Sequence, residues 1–306
     1  MNWDVAHRVA GIAANQAHRD LAVDREGYVH VFAALRAAGL IGMAQPMPRL
    51  FGLYMDENDG GPAVLLNAGL DVITQRHTAA HELGHHLLGH RSAADDNLDH
   101  SARWGDRSWP EHEKVAEAFA AWFLMPRPAV LQAVEQVTRG GGLRRPEHAY
   151  LVARVLGTSY AGTVRQLSRL GLLTRDQGNQ WLGIAPAALK GSLCGGRPVP
   201  GGSHVHAINL PSDGRRFYVD TGDLLVLEVP GARFGESAPE LVAWGASWSA
   251  GEGDAAPYSP QQILQVTEDL DISTAVSVSV PGNDDPLGLT LVRQSPRTGS
   301  DDVWQA

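Results

Sequence analysis

Cysteine is nearly missing from this 306-residue chain, where Cys194 stands alone. A single thiol excludes an intramolecular disulfide framework and fits a reducing compartment, the cytoplasm, with Cys194 expected as a plain core thiol. Long apolar runs are missing too: none approaches the ~18 residues that a membrane-crossing helix requires. The opening MNWDVAHRVAGIAANQ places charged and polar residues too early for the apolar region of a leader peptide. Positive charge is in short supply, 25 Lys and Arg against 34 Asp and Glu, for a net charge of −9. The deficit is local, since residues 1–181 carry 18 basic against 19 acidic groups and residues 182–306 only 7 against 15. An acidic second part argues against that part gripping a nucleic-acid backbone, and the charge shift marks a domain boundary near residue 181. What is present is the composition of an ordinary folded protein, 43% apolar and 19% charged, in a length sufficient for two domains.

The most informative stretch is HELGHHLLGH, His81–His90. On a helix, His81 and His85 leave one face a turn apart, as two neutral ring nitrogens must to share a tetrahedral ion. Glu82 lies alongside to take a proton from water. The pattern is short, and a helix with two surface histidines matches it by chance. A catalytic zinc needs a third protein ligand and an open position, and EHEKVAEAFAAWFLMP (Glu111–Pro126) offers one. Ala116, Phe119, Ala120, Phe123 and Leu124 recur there at helical spacing, and Glu113 begins that stripe one turn before Glu117. The metal ligands are therefore expected to be His81, His85 and Glu113, with Glu82 as general base. The bound ion is expected to be Zn²⁺, with Mn²⁺ an alternative that histidine and carboxylate also accept. Glu117 is placed to orient a ligand histidine, or else is a solvated helix charge.

Together the two segments resemble the ImmA/IrrE family of bacterial zinc metallopeptidases. That family runs from an apolar strand ending in Leu-Leu-Asn to an Arg-x-Thr-x-Ala-His-Glu-x-x-His helix, then to a Glu-x-x-Ala-x-x-Phe-Ala helix closed by Leu-Met-Pro. This chain reads AVLLNAGLDVITQRHTAAHELGHHLLGH and EKVAEAFAAWFLMP, and the resemblance covers about its first 180 residues. It departs at Glu117, where the family usually has Asp or Asn. The resemblance implies a zincin-like fold and an endopeptidase that cleaves a helix-turn-helix repressor, relieving transcriptional repression after DNA damage or in a mobile element. No complete DNA-binding domain precedes residue 30, so the repressor is expected as a separate partner.

Around these motifs the chain reads as α+β. Residues 2–40 are expected to be helical, with Val5, Val9, Ile12 and Ala13 inward in the first stretch and Val31, Phe32, Leu35 and Leu40 in the second. Gly39–Arg49 reads as loop, punctuated by Pro46 and Pro48. Leu50–Met55 and Ala63–Asn67 read as a small antiparallel hairpin around Asp56–Gly61; it either lies over the cleft as an edge strand or only packs on the helices. Residues 74–90 form the metal helix, in which Gly84 permits close approach of the second helix's backbone. His77, His86, His90 and His112 each read as a surface residue or as a neighbour standing behind the ligands. Arg91–Pro110, with Trp104 and Trp109, is a lid or a loop pinned by its indoles.

A helix over Ala129–Arg139 leads to a helix-turn-helix-like pair, EHAYLVARVL and YAGTVRQLSRLGLL, joined at Gly157–Ser159. The pair is basic, with Arg144, Arg145, Arg154, Arg165, Arg169 and Arg175. Val164 is displaced by one residue from where DNA-reading versions carry a valine, so packing or protein docking is favoured over direct DNA contact. Beyond Trp181 come short strand-like runs at His204–Leu210, Arg216–Thr221, Leu224–Val229, Leu241–Trp248, Ile263–Val266, Ile272–Val280 and Leu287–Arg293, the pattern of a sandwich or barrel. His204 and His206, two apart, would share a strand face as a metal pair does, but without a third ligand they read as plain surface residues. Tyr150 or Tyr160 is the candidate oxyanion donor. The expected domains are thus a zincin-like peptidase (1–128), a helical subdomain (129–181) and a β-rich regulatory or binding domain (182–306). Two other functions fit parts of the pattern: a non-catalytic zinc-containing binding protein, and a DNA-binding regulator. An intact Glu82 speaks against the former, because structural zinc sites are closed by four ligands and need no base.

Overall fold

The computed structural model describes residues 1–95, 109–235, 240–244 and 263–294, so Trp104, Trp248 and most of the Arg91–Pro110 connection lie outside the described residues. The chain divides into two compact units, Met1–Val130 and Leu131–Ser295.

The first unit opens with helix α1 (Trp3–Asp20), capped by the Asn2 side chain, which accepts from the Val5 amide. Its inward face is not the one that the branched residues suggest. Ala6, Ala10, Ala14 and Ala17 are buried, whereas Val5, Val9 and Ile12 are exposed, Ile12 by 75%. Small residues at successive turns let two helix axes come close. Helix α1 uses its alanines to lie along the helix Glu111–Leu124, and His18 Nε2 donates to the Phe123 carbonyl at 2.9 Å. A second helix, α2 (Val31–Ala37), buries Val31, Phe32, Ala34 and Leu35.

Four strands follow as one sheet in the order β1-β3-β2-β4: β1 (Ile41–Gln45), β2 (Gly52–Met55), β3 (Ala63–Asn67) and β4 (Ala93–Asp95). Strands β2 and β3 form the expected antiparallel hairpin, Gly52 opposite Leu66 and Met55 opposite Ala63. Two additions correct the sequence reading. Ile41–Gln45 is a strand rather than a loop, paired in parallel with β3; its inward residues are Gly42 and Ala44, too small to announce a strand by hydrophobicity. The second addition, β4, covers β2, so β2 is an inner strand and, among the described residues, the outer edge on that side belongs to β4.

Helix α3 (Val72–Leu87) starts at Asp71, whose carboxylate accepts from the Thr74 amide. Helix α4 (Glu111–Leu124) packs along it. Gly84 of α3 meets the Phe119 side chain rather than α4's backbone: a Cβ there would lie 3.0 Å from the ring.

The second unit begins within helix α5 (Arg127–Thr138), which carries Pro128 in its first turn, where a missing amide costs nothing. The helical pair follows as α6 (Pro146–Leu156) and α7 (Tyr160–Arg169), separated by Gly157 in a left-handed conformation that closes α6. Two more helices, α8 (Arg175–Leu182) and α9 (Pro186–Leu193), come before the first strand. The part beyond residue 181 therefore starts as helix, before the first strand-like run expected at His204. Buried Cys194 caps α9, its thiol pushed up to about 11 by burial.

The expected strands then appear as two four-stranded sheets. One is β5 (Val205–Ile208), β7 (Leu224–Leu227), β10 (Ile263–Val266) and β9 (Leu241–Ala243); the other is β6 (Arg216–Val219), β12 (Leu287–Arg293), β11 (Ser273–Ser279) and β8 (Arg233–Phe234). Both mix parallel and antiparallel pairs. They share one apolar core that includes Ile208, Leu225, Val266, Val278 and Leu291. His206 is not a surface residue: it is 4% exposed and its Nε2 lies 3.1 Å from Asp223 Oδ2.

Two predictions follow from this packing. Ala10→Leu overfills the contact between α1 and α4 and should cost about 1–3 kcal/mol, whereas Ile12→Ala should fall within about 0.5 kcal/mol, both read from urea unfolding. In the second unit, burial and then Arg154 push His204 down to about 3, so it is neutral in the fold. The unfolded chain takes up that proton below about pH 6.5, so this contribution is complete above that pH and is lost as the pH falls toward the folded value. Burial alone would raise the Asp223 pKa, but the hydrogen bond from His206 outweighs it and holds the carboxyl below its ordinary range. Its stabilisation is present above that range and disappears in stronger acid. The urea midpoint should therefore decline between about pH 7 and pH 5, and less steeply in His204→Gln.

Candidate metal centre

Helix α3 turns a buried face toward α4, and three groups meet there. His81 and His85 are 2% and 0% exposed. Their Nε2 atoms lie 3.0 Å apart, and Glu113 Oε2 of α4 lies 3.1 Å from the first and 3.5 Å from the second. These three donors fall within 4.8 Å of one another. An ion bound tetrahedrally at about 2.0–2.1 Å spaces its ligand atoms about 3.3–3.4 Å apart, so the observed triangle fits such an ion, and two imidazoles with one carboxylate suit zinc or manganese.

The electrostatics match a cation site. Burial disfavours a proton on His81, but the carboxylates of Glu113 and Glu117 outweigh it and raise its pKa well above the ordinary value. Burial dominates at His85 and lowers its pKa. At Glu113, burial opposes ionisation and the facing histidines overcome it, holding the carboxyl far below the usual range. The site thus keeps one carboxylate ionised and favours a positive charge, a proton or a metal ion, among the three groups.

Behind each ring stands a partner. Glu117, one turn after Glu113, lies 3.4 Å from His81 Nδ1, and its two oxygens are each 3.0 Å from His77 Nε2. Of the two readings open to His77, the structure takes the second: it is half-buried behind His81, through Glu117. His90 Nδ1 lies 3.0 Å from His85 Nδ1. Gly89, at φ +66°, reverses the chain after α3 and brings that ring back. His86 lies 3.1 Å from the Tyr54 hydroxyl of β2, and exposed His112 lies 3.4 Å from Glu113 Oε1. Tyr150 and Tyr160 have other duties: the former hydroxyl accepts from the Val205 amide and the latter donates to the Trp181 carbonyl.

Glu82 is fully buried and faces β2 across the start of that strand. The contact depends on Gly52, where a Cβ would sit 2.5 Å from Thr78 Cγ2 and 2.8 Å from Glu82 Oε1. Any side chain there would push the strand off the helix or the carboxylate out of place.

The sequence profile of the Peptidase_M78 family, the IrrE N-terminal-like domain, matches residues 48–161. No curated protein matches the chain. Gly52→Ala should cost about 1–3 kcal/mol by overpacking while leaving the three metal-facing donors intact. Equal unfolding midpoints for this variant and the parent would refute the close approach of β2 to Glu82.

Proposed function

Residues 48–161 belong to the IrrE N-terminal-like peptidase family, and on that premise we propose that this protein is a cytoplasmic, zinc-dependent, site-specific endopeptidase. Its substrate in this reading is a helix-turn-helix transcriptional repressor supplied as a separate protein, whose cleavage releases transcription under stress. The observation that carries the reading is the meeting of His81, His85 and Glu113 within 4.8 Å, with buried Glu82 one residue from the first ligand.

His81, His85 and Glu113 hold the ion. When bound, it acts as a Lewis acid and brings the pKa of water from ~15.7 toward ~7. Glu82 accepts the proton of the attacking water and delivers it to the departing amine, so that neither charge separates in the site. Glu117 and His90 engage the far nitrogens of the two ligand rings and so fix which nitrogen faces the centre. Gly52 lets β2 seal Glu82 from bulk water. The outer edge at β4 supports recognition of an extended segment, which can add a strand there. Against a direct grip on nucleic acid, Arg154 of the helical pair is buried in the second unit rather than offered to a nucleic-acid backbone.

Glu82→Gln should retain the metal and lose cleavage by about 10²–10⁴-fold, because only the proton acceptor is removed. His81→Ala and Glu113→Ala should lose bound metal, measured by elemental analysis of purified protein, and activity with it. Unchanged cleavage by Glu82→Gln would overturn the assignment.

A further inference from the structure

The second unit contains a cleft whose charge runs against its surroundings. The second unit, residues 131–295, holds 13 basic against 16 acidic groups, yet Arg154, Arg216, His206, Asn209, Gln136 and Tyr218 wall this cleft and no carboxylate lines it among the described residues. Its narrow core measures about 20 Å³, and the space out to its open mouth about 420 Å³. A single water needs about 10–15 Å³ on the same measure, so the core admits one compact group with room for a body toward the mouth.

Arg154 is the informative wall. It is 7% exposed, donates through Nη2 to the Thr158 carbonyl, and stands 5.4 Å from the Tyr150 ring. Its buried Nε has no hydrogen-bond partner among the described residues. The acids nearby are engaged elsewhere. Asp223 faces His206 and accepts the His204 amide, while Glu228 lies 3.8 Å from each of Arg139 and Arg145 and 3.5 Å from Asn209 Nδ2. No ion pair among the described residues includes Arg154 or Arg216. A buried guanidinium without a counter-charge is costly unless an anion completes it. The field of Arg154 is felt around it: after burial, it is the next cause that lowers the pKa of Lys190 and His204.

We propose that this cleft binds the oxyanion head of a small ligand, a phosphate, sulfate or carboxylate group, with Arg154 at the core and Arg216 at the mouth as its two cations. Guanidinium groups present forked donors that match such heads. The inference is independent of the peptidase reading.

The test uses the full chain in buffer free of competing anions, titrated calorimetrically with inorganic phosphate, sulfate, acetate and glycerol phosphate. At least one should bind saturably with one site per chain and raise the unfolding midpoint. Tighter binding of the ester than of free phosphate would mark a metabolite head as the ligand; the reverse order would mark the free ion. Arg216→Gln alters an exposed side chain and should fold normally by circular dichroism, yet weaken binding roughly tenfold or more. Arg154→Gln, if it folds, should abolish binding. Protein stripped of metal with a chelator should bind as the untreated protein does, which separates this site from the metal centre. Dissociation constants above about 10 mM for all four probes, or equal affinity in the parent and Arg216→Gln, would overturn the proposal.

Discussion

Two imidazole nitrogens 3.0 Å apart, both aimed at a carboxylate oxygen 3.1 and 3.5 Å away, repel one another unless a cation or a proton lies among them. Much of the first unit can be understood as the framework that holds this costly arrangement. Helices α3 and α4 must run close enough for one turn of each to share a centre, and Gly84 makes room for Phe119 at that crossing. Helix α1 backs α4 with a row of alanines, and the Asp71 cap fixes where α3 begins. The sheet approaches from another side through Gly52, placing a strand against Glu82. Packing therefore supplies the free energy that the donor triangle alone lacks.

How much of this was legible in the sequence depended on whether the deciding contacts were local. The two metal helices, the hairpin and most of the later strands announce themselves through periodicity of three to four or of two, which a single segment carries by itself. Strand β1 does not, because Gly42 and Ala44 face inward and its pairing with β3 comes from a segment past the intervening strand β2. The inward face of α1 was misread for a related reason. Valine and isoleucine look like core residues, but the neighbouring helix lies too close for anything larger than alanine. Strand β4 is three residues long and its cover over β2 had no signature. At the candidate metal centre, the meeting of His81, His85 and Glu113 was readable from spacing; which of two places His77 and His90 take was not, since that depends on what a histidine's second nitrogen meets.

The second unit shows the converse, a feature that composition obscured. Its sequence is acidic and its helical pair basic, a division suggesting that the arginines face outward to a polyanion. Instead Arg154 is drawn inside beside the β-rich part of the same unit, and Lys190 gives its ammonium to the carbonyls of Pro200, Gly201 and Ser203. Charge counted along a chain says little about charge counted around a cavity. A helix-turn-helix outline can be kept while its cations serve the interior.

The turn at Gly89 has a consequence for how such proteins can vary. His90 meets His85 only because one left-handed residue sends the backbone back over the end of its own helix. Adding or deleting a single residue between the two would rotate the returning ring away, and no rotamer could recover it. The interval from His85 to His90 is thus a fixed length, set by the distance between two nitrogen atoms at the point where a helix gives way to the chain beyond it.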